Sequence, residues 1–175
     1  MTTAREILDV VDEQDRVIGQ ACRDQVHAQG LKHRAVHIFL FNERGELFVQ
    51  KRSATKDTFP GCYDSSASGH LDSGEDYDAC ARRELGEELG LEIPASQLRK
   101  HFKIAACRET GWEFVWVYSV RGDHQPRINP AEIESGDFWT GAQVAGVMAE
   151  NPTQCAPGFV RIYHEFCRRG LWPTG

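Results

Sequence analysis

The 175-residue sequence predicts an α/β fold, a sandwich in which helices cover a mixed β-sheet. Three observations favour this class. Short apolar runs separated by turn residues, which are typical of strands, occur in both halves of the chain. A long segment in the middle has the apolar period of an amphipathic helix, and two further helical segments follow near the C-terminus. At this length we expect a single domain spanning residues 1–175, which buries roughly two-thirds of its unfolded surface.

The first half of the chain contains four strand-like runs in two pairs, and each pair flanks a polar turn. The pairs are residues 6–11 and 16–19 around the turn 12–15, and residues 35–41 and 46–51 around the turn 42–45. The first pair predicts an N-terminal hairpin extension at about residues 6–19. Between the pairs, residues 21–30 are polar, and a helix or an irregular connection fits them equally well.

The second half begins with the long helical segment and returns to strands after Pro94, which cannot continue a helix. Residues 99–107 and 113–120 are strand-like runs on either side of a turn. Residues 137–140 predict one more short strand. The chain then ends in two helical segments, which are residues 141–149 and 158–169.

The long central segment, residues 69–91, has the sequence GHLDSGEDYDACARRELGEELGL. Ser73 is a residue type that caps helix N-termini, and Glu75 and Asp76 follow in the first turn, where the helix dipole favours negative charge. Gly90 can end the helix in a left-handed conformation. A buried stripe is predicted on one face of this helix, formed by Ala81, Leu85 and Leu89.

A neighbouring face of the same helix carries three carboxylates, on Glu84, Glu87 and Glu88. Adjacent like charges on a helix repel one another by a few tenths of a kcal/mol per exposed pair. A hard divalent cation with oxygen ligands would convert this repulsion into binding energy. Three glutamates alone also fit an ordinary solvated surface, and the spacing of the whole segment decides between these interpretations.

The segment matches the pattern G-x5-E-x7-R-E-U-x-E-E-x-G-U, in which U is aliphatic. The matching positions are Gly69, Glu75, Arg83, Glu84, Leu85, Glu87, Glu88, Gly90 and Leu91. At average residue frequencies, chance produces this match with a probability on the order of 10⁻⁷. The sequence therefore resembles the Nudix family, whose defining box is this pattern. We call residues 69–91 the box.

The Nudix resemblance implies a Nudix-like α/β/α sandwich and hydrolysis of a diphosphate linkage. It implies that Glu84, Glu87 and Glu88 hold a divalent metal ion, by default Mg²⁺, with Mn²⁺ as the alternative. Gly69, Glu75 and Arg83 would have supporting roles, the last two as an internal pair that positions the helix. Glu84 is the general base by resemblance, and Glu132 and Glu134 are alternatives in a later loop.

Three further segments resemble the isopentenyl-diphosphate-isomerase-like branch of this superfamily. They are EILDVVDEQDRVIGQ, HRAVHIFLFNERGELFVQKR and TKDTFPGCYDSSASGH. In isomerases of that branch, four positions would correspond to metal ligands and so imply a second metal site, at His27, His33, His70 and Glu113. A further glutamate ligand is missing near Gly111, and Ser68 stands where those isomerases have a catalytic cysteine. Glu84 is intact here, whereas the isomerases replace it.

These departures favour a hydrolase of a nucleoside diphosphate derivative or a similar X-linked diphosphate. An isopentenyl-diphosphate isomerase and a non-catalytic ligand-binding Nudix domain remain alternatives. Arg52 and Lys56 are the candidate phosphate-binding residues, as a bidentate guanidinium and a point charge. If they hold phosphate, Arg52→Ala should raise KM or lower kcat/KM and leave thermal stability nearly unchanged. We expect the pocket walls, which select X, to come from residues 112–118 and the C-terminal segment.

The composition limits the other partners. The formal net charge of −6 argues against non-specific binding to nucleic acid or to a membrane surface. No apolar run is long enough for a membrane span, and the N-terminus lacks the layout of a signal peptide. Six cysteines without metal-type spacing are typical of reduced thiols, so we expect a cytoplasmic protein. The sequence does not decide whether the protein forms a homodimer.

Overall fold

The computed structural model describes residues 6–173 of the chain. The two ends of the predicted domain, residues 1–5 and 174–175, lie outside the described residues. The strands are β1 (Ile7–Val11), β2 (Val17–Cys22), β3 (His33–Phe41), β4 (Leu47–Arg52), β5 (Tyr63–Asp64), β6 (Ala67–His70), β7 (Arg99–Ile104), β8 (Glu113–Arg121) and β9 (Ile133–Trp139). The α-helices are α1 (Arg23–Gln29), α2 (Tyr77–Leu89), α3 (Gly141–Glu150) and α4 (Pro157–Arg168). None of the helices in this part of the chain is long and apolar enough to cross a membrane.

Seven strands form the main sheet, in the order β5-β4-β3-β8-β7, with β6 added on β3 and β9 on β4. The β3–β8 pair is parallel along its whole length, and the other pairs are antiparallel. The sheet is therefore mixed, and the predicted α/β fold class is confirmed. β1 and β2 form a separate antiparallel hairpin where the sequence analysis places one.

Strand β3 changes its partner on one side, and this change opens the sheet. Its last residue, Phe41, pairs with Leu47 of β4. Its first half pairs instead with β6, from Ala35 opposite His70 to Ile38 opposite Ala67. Because β4 and β6 diverge from this point, the sheet splits beside the C-terminal half of α2.

The alternating side chains of β3 divide the core into two layers, as the two-residue period of a strand requires. Ala35, Phe39 and Phe41 pack with residues of α3 and α4 on one face. Val36, Ile38 and Leu40 pack on the other face with α2, whose predicted stripe is fully buried. The predicted stripe is therefore confirmed, and β3 is covered by helices on both faces.

Helix α2 begins later than predicted. Its N-cap is Asp76, whose carboxylate accepts a hydrogen bond of 2.8 Å from the backbone N–H of Ala79. The prediction that Ser73 caps the helix is wrong, because its hydroxyl donates to Asp9 in the N-terminal hairpin, at 2.8 Å. Gly90 ends the helix with a φ of 63°, as predicted.

Two other segments differ from the prediction. The short strand predicted at residues 137–140 is the end of the longer β9, which pairs along β4. Thr140 is not in that strand, because its side chain forms a capping box with Gln143 at the start of α3. The polar segment 21–30, for which two structures fitted equally, contains helix α1.

Candidate active site

A cleft of about 1160 Å³ lies where the sheet splits beside the C-terminal half of α2. It brings together most of the site residues that the sequence analysis proposes. Those that line it are His27, Arg52, Lys56, Ser68, Gly69, His70, Arg83, Glu84, Glu87, Glu88, Glu113 and Glu132. Three proposed residues lie outside its lining, namely His33, Glu75 and Glu134.

The carboxylate of Glu84 reaches the cleft by crossing directly over Gly69. A Cβ atom at Gly69 would overlap that carboxylate, so any side chain there would displace it. The box requires a glycine at this position because strand β6 and helix α2 approach each other too closely for a side chain. Burial raises the pKa of Glu84 to about 7, against the opposing attraction of Arg83.

Glu88 lies one turn further along α2 and is 6% exposed. Its carboxylate accepts a hydrogen bond of 2.9 Å from the side-chain amide of Gln50 on β4. Burial raises the pKa of Glu88 well above its usual value, and the neighbouring charge of Glu84 raises it further. Because Gln50 is neutral, its hydrogen bond offsets only part of the free-energy cost of burying the charged form of Glu88. The sequence analysis missed Gln50, since a single glutamine in a strand carries no signal.

Arg83 connects the carboxylates of the box. Its guanidinium donates two hydrogen bonds to Glu75, at 2.9 and 2.8 Å, which is the expected internal pair. It also donates to Glu84 at 2.7 Å and to the more exposed Glu87 at 3.1 Å. A further bond of 2.9 Å to the backbone carbonyl of His70 fastens the helix to β6. One cation therefore orients three acidic side chains.

The donor set of the box fits a divalent cation. Two of its carboxylates are buried together, and a buried carboxylate is stable in its charged form only beside positive charge or strong donors. Arg83 supplies one positive charge to Glu84, whereas Glu88 has a neutral partner. Carboxylate oxygens are the ligands that Mg²⁺ and Mn²⁺ prefer.

Three imidazole rings form a second cluster at the same end of the cleft. The ring centroids of His27, His33 and His70 lie 5.0–5.1 Å apart. One nitrogen from each ring can be chosen so that all three lie within 4.8 Å of one another. Glu113 joins them, with an oxygen 3.0 Å from Nε2 of His70 and 3.5 Å from Nε2 of His33.

Two of the three rings offer a nitrogen to a cation, whereas His70 is protonated at neutral pH and would first have to lose that proton. Burial disfavours the charged form of His70, but hydrogen bonds to Glu113 and Glu6 outweigh it and raise the pKa of His70 to about 9. Burial lowers the pKa of His27 to about 4, and the other two histidines add to this effect. The Nε2 atoms of His27 and His33 are buried and have no hydrogen-bond partner among the described residues.

The two basic residues predicted to bind phosphate are both engaged with carboxylates. Arg52 donates to the buried Asp64 at 3.1 Å and to the backbone carbonyl of Thr58, also at 3.1 Å. Its side chain is only 13% exposed, so its removal should affect stability as well as any contact with substrate. Lys56 pairs with Glu132 at a more accessible position. Of the two residues, Lys56 is therefore the more accessible to a ligand in the cleft.

The walls of the cleft match the expectation only in part. Of residues 112–118, only Glu113 lines it, because Phe114 and Tyr118 are buried in the sheet. Loop residues 108–111 line it instead, and the C-terminal segment contributes the start of α4, at residues 156–158, as expected. His37 also lines the cleft and was missed. Its only signal is that it is a polar residue inside the apolar run of β3.

A mixed sheet between helices, with a box helix that brings acidic side chains to a cleft, defines a Nudix-type domain. A sequence profile of the NUDIX domain matches residues 31–157. A Nudix hydrolase of Streptomyces coelicolor is 39% identical over 152 residues, covering 86% of this chain and 83% of the relative. An isopentenyl-diphosphate Δ-isomerase of Photorhabdus laumondii is 38% identical over 130 residues, covering 73% of each. The chain belongs to the Nudix family and is a Nudix hydrolase.

Solved structures agree with this fold. The crystal structure of a Deinococcus radiodurans protein superposes with a TM-score of 0.81 at 33% identity, covering 91% of this chain and 98% of that one. A bifunctional NMN adenylyltransferase/ADP ribose pyrophosphatase of Francisella tularensis, complexed with AMP and a manganese ion, superposes with a TM-score of 0.62. It is 13% identical and covers 79% of this chain and 42% of that one, so it supports the fold alone.

The close approach at Gly69 makes a prediction. We expect Gly69→Ala to displace the Glu84 carboxylate and lower kcat/KM by at least about tenfold, which corresponds to 1.4 kcal/mol of transition-state stabilisation. Gly86→Ala on the same helix is the matched control, because a Cβ there meets no atom closer than 4.0 Å. Steady-state kinetics of both variants test this, and unchanged activity of Gly69→Ala would show that the position of Glu84 does not matter.

The pairing of Arg52 with Asp64 makes a second prediction, which replaces the earlier expectation. Because both side chains are buried, we expect Arg52→Ala to lower the free energy of unfolding by about 3–5 kcal/mol. Lys51→Ala is the control, since its ion pair with Glu134 is partly exposed and such pairs contribute about 0–1 kcal/mol. Urea denaturation measures both changes, and equal stabilities of the two variants would contradict the prediction.

Proposed function

We propose that this Nudix hydrolase uses a divalent metal ion to cleave the diphosphate linkage of a nucleoside diphosphate derivative or a similar X-linked diphosphate. The observation that carries the proposal is the burial of two carboxylates, on Glu84 and Glu88, at one wall of the cleft. Their raised pKa values mean that their charged forms lack sufficient counter-charge. A metal ion completed by substrate phosphates would supply it.

In this proposal Glu84, Glu87 and Glu88 hold the cation, which is Mg²⁺ or, as the alternative, Mn²⁺. A bound divalent ion would neutralise phosphate oxygens and lower the pKa of the attacking water. Arg83, held by Glu75, keeps the carboxylate of Glu84 oriented. The products would be a phosphate monoester and an X-phosphate.

The remaining roles follow from the positions of the charged side chains. Lys56 leaves Glu132 to contact a substrate phosphate, and Arg52 contributes its positive charge from beside Asp64. Glu84 is the proposed general base. Of the two alternatives, Glu132 is better placed than Glu134, because it lines the cleft whereas Glu134 pairs with Lys51 outside it. His27, His33, His70 and Glu113 would hold a second divalent ion.

A substrate screen tests the reaction class. The panel contains ADP-ribose and other nucleotide sugars, dinucleotides, nucleoside di- and triphosphates and isoprenyl diphosphates, each with Mg²⁺ or Mn²⁺. We expect metal-dependent release of a phosphate monoester from at least one X-linked diphosphate. If ligands raise the melting temperature but nothing is hydrolysed, the chain is a binding domain and the proposal is wrong.

The buried carboxylates of Glu84 and Glu88 lead to a prediction about metal binding. We expect Glu84→Gln to lower kcat with Mg²⁺ by about 10²-fold or more and to lose the rise in Tm that the metal causes in the wild type. Glu92→Gln is the control, because Glu92 is exposed on the loop after α2. An undiminished metal-induced rise in Tm in Glu84→Gln would refute the assignment.

The metal-free protein gives an independent readout of the same variant. The pKa of Glu84 is about 7 in the folded state, above its usual value of 4.5. The folded state therefore binds this proton more tightly, and ionised Glu84 costs stability as the pH rises from about 4.5 through 7. At pH 8 without metal, Glu84→Gln should unfold at a higher temperature than the wild type. At pH 4 this difference should vanish.

Isopentenyl-diphosphate isomerisation is the second candidate function, favoured by the isomerase relative and by the three-histidine cluster. Ser68 argues against it. An aliphatic hydroxyl does not exchange protons near neutrality as a thiol with a pKa near 8.5 does. The missing glutamate near Gly111 further weakens the isomerase set of ligands.

We therefore predict no deuterium uptake from heavy water into isopentenyl diphosphate by the wild-type chain, and little after Ser68→Cys. NMR of the substrate with Mg²⁺ or Mn²⁺ measures this. Uptake that Ser68→Ala abolishes would establish the isomerase instead.

A further inference from the structure

The N-terminus of helix α4 faces the cleft without a side-chain cap. Its N-cap is Ala156 and its first residue is Pro157, which has no N–H. The next two backbone N–H groups belong to Gly158 and Phe159, and neither has an acceptor among the described residues. The helix is 12 residues long, so its N-terminal end carries the partial positive charge of a full helix dipole.

A buried imidazole points at this helix end. His37 is 8% exposed, and the atoms of its ring nearest to Gly158 are Cε1 and Nε2, both 3.9 Å from the position a Cβ would occupy. Its Nδ1 lies 2.6 Å from the hydroxyl of Ser65, whereas Nε2 has no described partner. A polar atom in such an environment normally has a hydrogen-bond partner. The cleft beside Gly158 is the space from which a partner would come.

The hydrogen-bond chain behind His37 can place a hydrogen on Nε2. Burial lowers the pKa of His37, so the ring is neutral and carries a single N–H. Asp64 accepts a hydrogen bond of 2.8 Å from the backbone N–H of Ser65, and it also lies within reach of the Ser65 hydroxyl, at 3.3 Å. Nε2 carries the hydrogen when that hydroxyl donates to Nδ1, and it is an acceptor when the hydroxyl donates to Asp64. Hydrogen phosphate has both P–O⁻ and P–OH groups, so it can pair with either form.

Arg108 supplies a full positive charge on the same wall. It lies in the loop whose next residue, Glu109, places its carbonyl oxygen 3.9 Å from the Cβ position of Gly158. Arg108 lines the cleft, and no carboxylate of the described residues lies within salt-bridge distance of its guanidinium. The neighbouring Glu109 also lines the cleft, and the acidic residues of the box line it from α2.

We propose that the start of α4, together with His37 and Arg108, forms an anion subsite that binds a phosphate group. Backbone N–H groups at a helix N-terminus and a guanidinium donate to phosphate oxygens, and Nε2 of His37 pairs with the phosphate either as a donor or as the acceptor of a P–OH. The subsite would hold a phosphate of the substrate that the box metal does not hold, or the phosphate of a product. This assignment rests on the proposed diphosphate substrate, but binding of the anion itself is measurable without turnover.

The test is a titration of the metal-free full chain in EDTA with inorganic phosphate, followed by ¹H–¹⁵N NMR. We expect saturable shifts of the Gly158 and Phe159 amides and of the ring nitrogens of His37. Gly158→Asp should raise the dissociation constant about tenfold or more, because its carboxylate occupies and repels the site. Gly158→Asn has the same shape without the charge and should bind within a few-fold of the wild type.

We expect the Gly158 variants to fold. A Cβ at Gly158 meets nothing closer than 3.9 Å, and an acidic residue in the first turn of a helix is stabilising. Gly158→Asp should therefore keep or raise Tm while it loses phosphate. Arg108→Gln should also weaken binding, whereas Arg82→Gln, an exposed arginine outside the cleft, should not.

The outcomes separate this subsite from the proposed function. Phosphate binding that Gly158→Asp and Arg108→Gln abolish supports the subsite, even if no diphosphate is hydrolysed. Absence of binding, or binding that neither variant weakens, overturns it and leaves the hydrolase proposal intact. Once a hydrolysed substrate is known, kinetics distinguish the two sources of the phosphate. If the subsite holds a phosphate of the substrate, Arg108→Gln should have a higher KM. If it holds the phosphate of a product, Arg108→Gln should be inhibited less by phosphate, and its KM should be unchanged.

Discussion

The site depends on one physical constraint, which is that two carboxylates of the same helix are taken out of water. Glu84 and Glu88 lie on the face of α2 that packs against the sheet, and an ionised carboxylate in that position requires compensating charge. Arg83 supplies part of it and is itself fixed by Glu75 and by the carbonyl of His70. The proposed divalent metal ion would offset the free-energy cost that remains.

The same constraint explains the architecture around the box. The Glu84 carboxylate reaches the cleft only because Gly69 has no side chain, and Gly69 is in place only because β6 pairs with the first half of β3. That pairing separates β6 from β4 and creates the split in which the cleft lies. The strand exchange, the glycine and the buried glutamates are therefore parts of one arrangement.

Sequence patterns predicted what depends on spacing along one helix or strand. The apolar stripe of α2 and the end of the helix at Gly90 are examples, because both follow from local periodicity and backbone conformation. The errors arose where a distant residue competes for the same side chain. Ser73 donates to Asp9, 64 positions away, and Arg52 is neutralised by Asp64, which spacing along the chain does not reveal. His37 was missed for the same reason, since it lies beside Gly158, which is far from it in the sequence.

The cleft is electrostatically divided, and the division follows from which elements form each wall. Helix α2 contributes carboxylates from its middle and last turn, whereas α4 contributes its N-terminal end, where the dipole is positive. A diphosphate needs both kinds of surface, because its oxygens can share a cation on one side and accept hydrogen bonds from N–H groups on the other. The two helices pack on opposite faces of β3, so only a ligand lying across the split in the sheet contacts both. The proposed diphosphate substrate is extended and multiply charged, so it could contact both helices at once.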